Sequence, residues 1–267
     1  MLKNELRRAL FNKRFWILVI VGLFFLFYIS YRDAWGGCVR LSDDITAEQL
    51  EQLRDTYWNS SLVWKSGFLF YKDFFPFFIV VPFLYSYTAE KVNKSAYMMI
   101  IRAGKKKYYA SKFLATGISG SLVIMIPEIV YTIIVYSVFR DTKVHDWVFD
   151  SKFFFAGTEL EPSVAGRVII CLLIHMVFTF SYAILAMGLS SFFKNRIGVY
   201  LGSYLIYLFA EILLSCNEMT AKYMSMGIYW CTVFDTDILR ALLIMFGMIC
   251  VGIGAFCVHE KIEEKLG

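Results

Sequence analysis

Apolar runs long enough to cross a bilayer recur six times along this chain, at 15–31, 68–89, 113–139, 168–193, 197–216 and 238–258. A helix needs about 20 mostly apolar residues to span the ~30 Å hydrocarbon layer. In that solvent each backbone N–H and C=O must find a partner within the protein, which leaves helices and closed barrels. Barrel strands would alternate over about ten residues, whereas these runs are continuous. The predicted fold is therefore an all-α membrane protein with six transmembrane helices, a single domain over 1–267. Composition agrees: 58% of residues are hydrophobic and 18% charged, against about 25% charged in soluble domains. The first run follows a basic segment and lacks a small-residue cleavage site, so it is expected to be retained.

The basic residues set the predicted orientation. Lys91 to Lys112 carries seven Lys or Arg in 22 residues and no acid. Basic loops mark the cytoplasmic side. With the N-terminus inside, the inner segments hold 16 bases against five acids, a net +11, while the outer loops are net negative. Both termini are then cytoplasmic. The overall charge of +5 is thus a membrane-flank charge and does not point to nucleic acid. Residues 1–14 place Leu2, Leu6, Ala9 and Leu10 at helical spacing among Lys3, Arg7, Arg8, Lys13 and Arg14. That pattern predicts an amphipathic helix on the inner leaflet. Thr46-Ala47-Glu48-Gln49 fits a capping box opening a short outer helix over 47–55. The outer loop 140–167, with Trp147 and Phe153 to Phe155, is expected to touch the bilayer surface.

Catalytic motifs are scarce. No GxxxxGK[ST] cradles a nucleotide and no HExxH holds zinc. The six cysteines show no metal spacing; Cys216 and Cys231 would pair only if their loop faces an oxidising exterior. Gly117-Ile118-Ser119-Gly120 matches the GxSG of rhomboid proteases, with His259 as the candidate base, but the same small residues also permit close helix packing. Gly198 and Gly202 form a GxxxG with the same property. Ionisable residues inside spans are costly and mark function or a buried structural pair. Glu128, after Pro127, fits equally a polar element of a translocation path or a hydrogen-bonded structural carboxylate. His175 fits a core histidine, while Glu211 and Arg240 fit snorkelling side chains.

The layout resembles the permease subunits of ABC-2 type transporters over essentially the whole chain. The resemblance is carried by KNELRRALFNKRFW entering the first span, the large outer loop, and the segment from Glu90 through Arg102 and Tyr108-Tyr109 to Lys112. It implies a cytosolic ATPase subunit that binds ATP and Mg, no cofactor on this chain, and a second permease subunit. It also implies a coupling helix at Ser95 to Ala103, seated on the ATPase through Tyr97, Met98, Met99, Ile100 and Ile101. The pathway would be lined by Pro76, Pro82, Tyr85, Tyr204 and Tyr207. The implied function is non-catalytic: export of an amphipathic peptide, antibiotic or lipid-like substrate across the plasma membrane of a bacterial cell. The alternative readings are an ATPase-independent secondary transporter or channel-like protein and, as a minor one, a rhomboid-like protease.

Overall fold

The computed structural model describes residues 1–36, 46, 48–49, 51–52, 58–68, 71–139, 163–193, 195–216 and 238–266. All regular structure among them is helical. α1 (Leu2–Leu10) leads into α2 (Lys13–Ser30), which continues as a π-helical turn, Tyr31–Trp35. Four short helices follow: α3 (Ser60–Gly67), α4 (Tyr71–Val80), α5 (Tyr85–Val92) and α6 (Ser95–Ala103). Then come the long α7 (Lys105–Val138) and α8 (Val164–Ser190). A π-helical turn, Gly198–Gly202, opens α9 (Ser203–Ser215), and α10 (Ile238–Leu266) closes the fold.

Helix starts follow local capping chemistry. An N-cap side chain that accepts an early backbone N–H satisfies a donor the helix cannot. Asn12 accepts from Arg14 N, Asn59 from Ser61 and Leu62 N, and Ser163 from Gly166 N. Thr46 and Gln49 form the reciprocal pair of a capping box, at 3.2 and 3.4 Å. Residues 48–49 and 51–52 are helical; the rest of the expected 47–55 helix lies outside the described residues. So do Trp147, Phe153 to Phe155, the side chain of Arg240, and Cys231, and with it the suggested disulfide.

Four helices are long and apolar enough to cross a membrane: Lys13–Trp35, Lys105–Val138, Val164–Ser190 and Leu242–Glu263. α7, with 34 residues, is ~51 Å long at 1.5 Å per residue. It starts well before residue 113, and α10 runs past 258, so both long helices continue into a polar layer. Large apolar side chains such as Trp16, Ile20, Phe24, Ile133, Ile169 and Phe246 face outward, the surface a lipid solvent would accept.

Two expected spans have a different form. The run 68–89 is not one helix. Pro82 has no N–H, and the chain from 81 to 84 is a turn between α4 and α5. Ser86 N bonds Phe83 O there, so the Pro82 carbonyl loses its usual partner and accepts instead from Asn12 Nδ2 at 3.2 Å. The fifth run is a shorter apolar helix, Gly198–Leu213, ~24 Å long at the same rise.

α7 is the hub, packing on α1, α2, α3, α4, α6 and α8, while α8 packs on α10. Small residues set these distances. A Cβ at Gly120 would lie 2.8 Å from Ala183 Cβ, and one at Gly188 only 1.9 Å from Gly252 O. Gly188→Ala therefore forces α8 from α10 and should lower stability by about 2 kcal/mol or more. Gly247→Ala, where a Cβ meets nothing within 4 Å, should be neutral or slightly stabilising. Thermal midpoints of the two purified variants in one detergent check the contrast.

Candidate functional site at the polar end of the bundle

α1, α5, α6, the first turns of α7 and the last turns of α10 meet at one end of the bundle. At its centre is Lys112, whose side chain is fully buried. Its ammonium donates to Glu5 Oε2 at 2.7 Å and to Glu90 Oε1 at 2.6 Å. Arg8 donates to the same Glu90 oxygen at 2.7 Å and to Glu5 Oε1 at 3.4 Å. The Tyr108 hydroxyl donates to Glu90 Oε2 at 2.7 Å. Two cations face two anions, and all four carboxylate oxygens accept a hydrogen bond.

The local reasons are legible. Glu90 ends α5, just after the proline-broken segment. Tyr108 and Lys112 are four residues apart and share one face of α7. Glu5 occupies the inward face of α1 with Ala9. α1 packs against Phe83 and Ala115 through Leu2, Leu6 and Ala9, so this helix is docked on the bundle as well as amphipathic.

A second cluster adjoins the first. Glu260 of α10 accepts from the hydroxyls of Tyr87 and Tyr109 and from Lys91 at 2.9 Å. Lys91 also contacts Glu263, and His259 Nε2 lies 3.6 Å from Glu263. His259, Glu260 and Glu263 offer donor atoms within 4.8 Å of one another. Lys91 already supplies the cation these carboxylates face, so the group is an ion-pair cluster and a poor metal cradle.

Burial alone would raise the Glu90 carboxyl, but Lys112, Tyr108 and Arg8 hold it below its ordinary 4.5. Burial would likewise lower Lys91, yet Glu263 and Glu260 hold it above its ordinary value.

The structure brings Glu90 and Lys112 of the expected coupling segment into direct contact. Residues 95–103 form α6. Tyr97, Met98 and Ile101 are exposed by 62, 59 and 79%. Met99 and Ile100 are half-buried against the core, and Arg102 points outward, away from the cluster. α6 hangs between two left-handed residues, Lys94 at φ 56° and Gly104 at φ 82°. Gly accepts that conformation freely; Lys does so at a cost of about 1 kcal/mol.

The other named residues scatter. Pro76 is buried within α4. Tyr207 is buried against Phe75 and Tyr182, and Tyr204 meets Phe77. Pro82 and Tyr85 line a small cavity together with Tyr200. Gly198 and Gly202 lie against Phe193, whose ring takes the space a Cβ at 202 would need. Deep in the bundle Glu128 is fully buried and faces His175 Nδ1 at 3.2 Å, with Phe68 against the imidazole. Ser119 donates to Thr116 O. Phe113 meets Phe256, so Ser119 lies ~9 Å to one side of that level and His259 ~4.5 Å to the other at helical rise. That separation is too great for a nucleophile and its base.

Comparison with family models, curated proteins and solved structures finds no match to this chain.

Sequence reasoning took Glu5, Arg8 and Glu260 only as topology charges. The missed signal was an acid at position 5, on the apolar stripe of 2, 6 and 9. Removing one partner of a buried pair costs about 3–5 kcal/mol, so Lys112→Met should lower stability by that amount, and adding Glu90→Gln should recover part of it. A carboxylate held below its ordinary value stabilises at pH above 4.5. That contribution fades as pH falls through its lower folded value. Unfolding midpoints measured from pH 6 downward should therefore fall less steeply below about pH 4.5 in Glu90→Gln.

Proposed function

We propose that this chain is the membrane subunit of an ATP-driven exporter of the ABC-2 kind, a six-span permease with both ends in the cytoplasm. The observation that carries this reading is α6. It is a short helix with an exposed apolar face, set at the charged end of a bundle of bilayer-length helices. Tyr97, Met98 and Ile101 make a face that a soluble partner would bury. The meeting of α1, the loop after α5 and the end of α10 at one end supports termini on a common side. Four long apolar helices support the membrane setting; the kinked α4–α5 and the short α9 would supply the fifth and sixth crossings. The partner ATPase would bind ATP and Mg, and a second permease subunit would complete the pathway. Cargo of an amphipathic, peptide, antibiotic or lipid-like kind suits the apolar spans.

In this reading ATP-driven movement of the partner pushes α6. The left-handed junctions at Lys94 and Gly104 join α6 directly to α5 and α7, which Glu90 and Lys112 clamp together. Tyr97→Asp with Ile101→Asp should abolish co-purification of an ATPase encoded beside this gene and abolish transport. The thermal midpoint should stay within about 1 °C of the parent, because exposed substitutions change stability little. Undiminished association would reject α6 as the contact.

Glu128 and His175 favour one second reading, an ion-coupled carrier. A fully buried carboxylate facing an imidazole can exchange a proton with a pathway. In proteoliposomes without ATPase, Glu128→Gln should then remove pH-gradient-driven flux. Flux that needs ATPase and survives Glu128→Gln would leave the exporter reading standing.

A further inference from the structure

Beside the ion-pair centre lies a small cavity of about 290 Å³, where α1 turns into α2. Its walls are Arg8, Asn12, Arg14, Pro82, Phe83, Tyr85, Ser86 and Tyr200. Among the described residues no carboxylate lines it. Glu5 and Glu90 offset the charge of Arg8. Arg14 is different: among the described residues its polar contact is the Tyr200 hydroxyl at 3.4 Å. Arg196 stacks over the rings of Tyr85 and Tyr200, 5.7 and 5.6 Å from their centroids. Arg14 thus lines this aromatic cavity, Arg196 stacks on two of its ring walls, and among the described residues no acid pairs with either guanidinium.

The surroundings say where an anion would come from. Arg14 sits at the start of a bilayer-length apolar helix. Ile17 and Val21 continue its face of α2, one and two turns on, and both are exposed. Leu201 and Leu205, beside and beyond Tyr200, are exposed as well. The cavity therefore combines cationic hydrogen-bond donors with an apolar track leading away from it. A phosphate suits the donors, since guanidinium binds phosphate through charge-assisted, often bidentate bonds. Acyl chains suit the track.

We infer that this cavity is a binding site for the phosphate of an anionic phospholipid. Arg14 and Arg196 hold the phosphate, and the hydroxyls of Tyr85, Tyr200 and Ser86 complete its hydrogen bonding. The acyl chains lie along Ile17 and Val21. The site rests on the membrane setting of the chain but not on the ATPase partner, so either idea can fail alone. Because Pro82 and Asn12 also line the cavity and bond each other, a lipid there would brace the kink between α4 and α5.

The test uses the full chain purified in a neutral detergent, with phosphatidylglycerol or phosphatidylcholine doped into the micelles at equal mole fraction, and with inorganic phosphate as a third probe. Binding to the folded state raises its melting point, by an amount that grows with the logarithm of ligand concentration above Kd. Phosphatidylglycerol should raise the midpoint by about 5 °C near saturation, and the other two probes by less than about 1 °C. Arg14→Gln with Arg196→Gln should abolish the shift. Lys106→Gln with Lys107→Gln, which removes exposed charge at the same end, should keep it. Should the arginine variant fail to fold, Tyr85→Phe with Tyr200→Phe should reduce the shift by at least half. An equal shift from phosphatidylcholine, or a shift that survives loss of both arginines or is unmoved in the folded tyrosine variant, would overturn the site. An equal shift from inorganic phosphate would overturn its assignment to lipid.

Discussion

An ammonium group with no solvent contact, Lys112 Nζ, fixes the geometry of this protein. Desolvating one ion costs several kcal/mol, and mutual attraction offsets that only when geometry and hydrogen bonding are nearly complete. Here two carboxylates accept from the ammonium, and Arg8 and Tyr108 accompany it on the same carboxylates. The cluster draws residues 5–8, 90 and 108–112 to one point. It thereby docks α1, orients the end of the broken α4–α5 segment and sets where α7 begins its long run. A hydrophobic plug could join these pieces as firmly, but would leave their register free. Paired charges allow one arrangement, because any slip strands an ion.

The second constraint is the proline at 82. A helix in hydrocarbon must satisfy its backbone internally, and Pro82 interrupts that ladder. The Asn12 side chain supplies the lost partner for its carbonyl, so the α1–α2 junction and the α4–α5 kink exist as a pair. The kink also opens the cavity lined by Tyr85 and Tyr200. One break in a hydrogen-bond ladder thus produces both a second inter-helix tie and a concave polar surface at the membrane boundary.

Much of the architecture was legible because it rests on local physics. Continuous apolar runs announce helices, and α2, α7, α8 and α10 appear where those runs lie. Residues 95–103 show as a separate apolar segment between bases, and they form α6. The errors also have local causes. Counting hydropathy over 68–89 overlooks the backbone defect at Pro82. Starting the third span at Phe113 overlooks that α7 already begins at Lys105, because helix formation needs no hydrocarbon around it. Glu5, Arg8 and Glu260 were invisible as a site, since, apart from the Glu5–Arg8 contact three residues apart, their partners are 82 to 173 residues away. No periodicity encodes which distant acid a buried lysine will meet. The Glu128–His175 contact was half visible: each residue is conspicuous inside an apolar run, but their pairing depends on how α7 packs on α8.

The two buried polar sites differ in what they can do. In the Lys112 cluster every carboxylate oxygen accepts a hydrogen bond and the two cations balance the two anions. Such a network resists change and transmits displacement. At Glu128 no hydrogen-bond partner faces the Oε1 oxygen among the described residues, although the residue is fully buried. A buried carboxylate oxygen is costly unless it is hydrogen-bonded or protonated. The polar end of the bundle is therefore built as a clamp, and the middle holds the group whose state can change. In the proposed exporter a push on α6 would reach that cluster through the junctions at Lys94 and Gly104. The two proposed readings of function thus divide between a rigid cluster that could relay force and a buried carboxylate that could accept a partner.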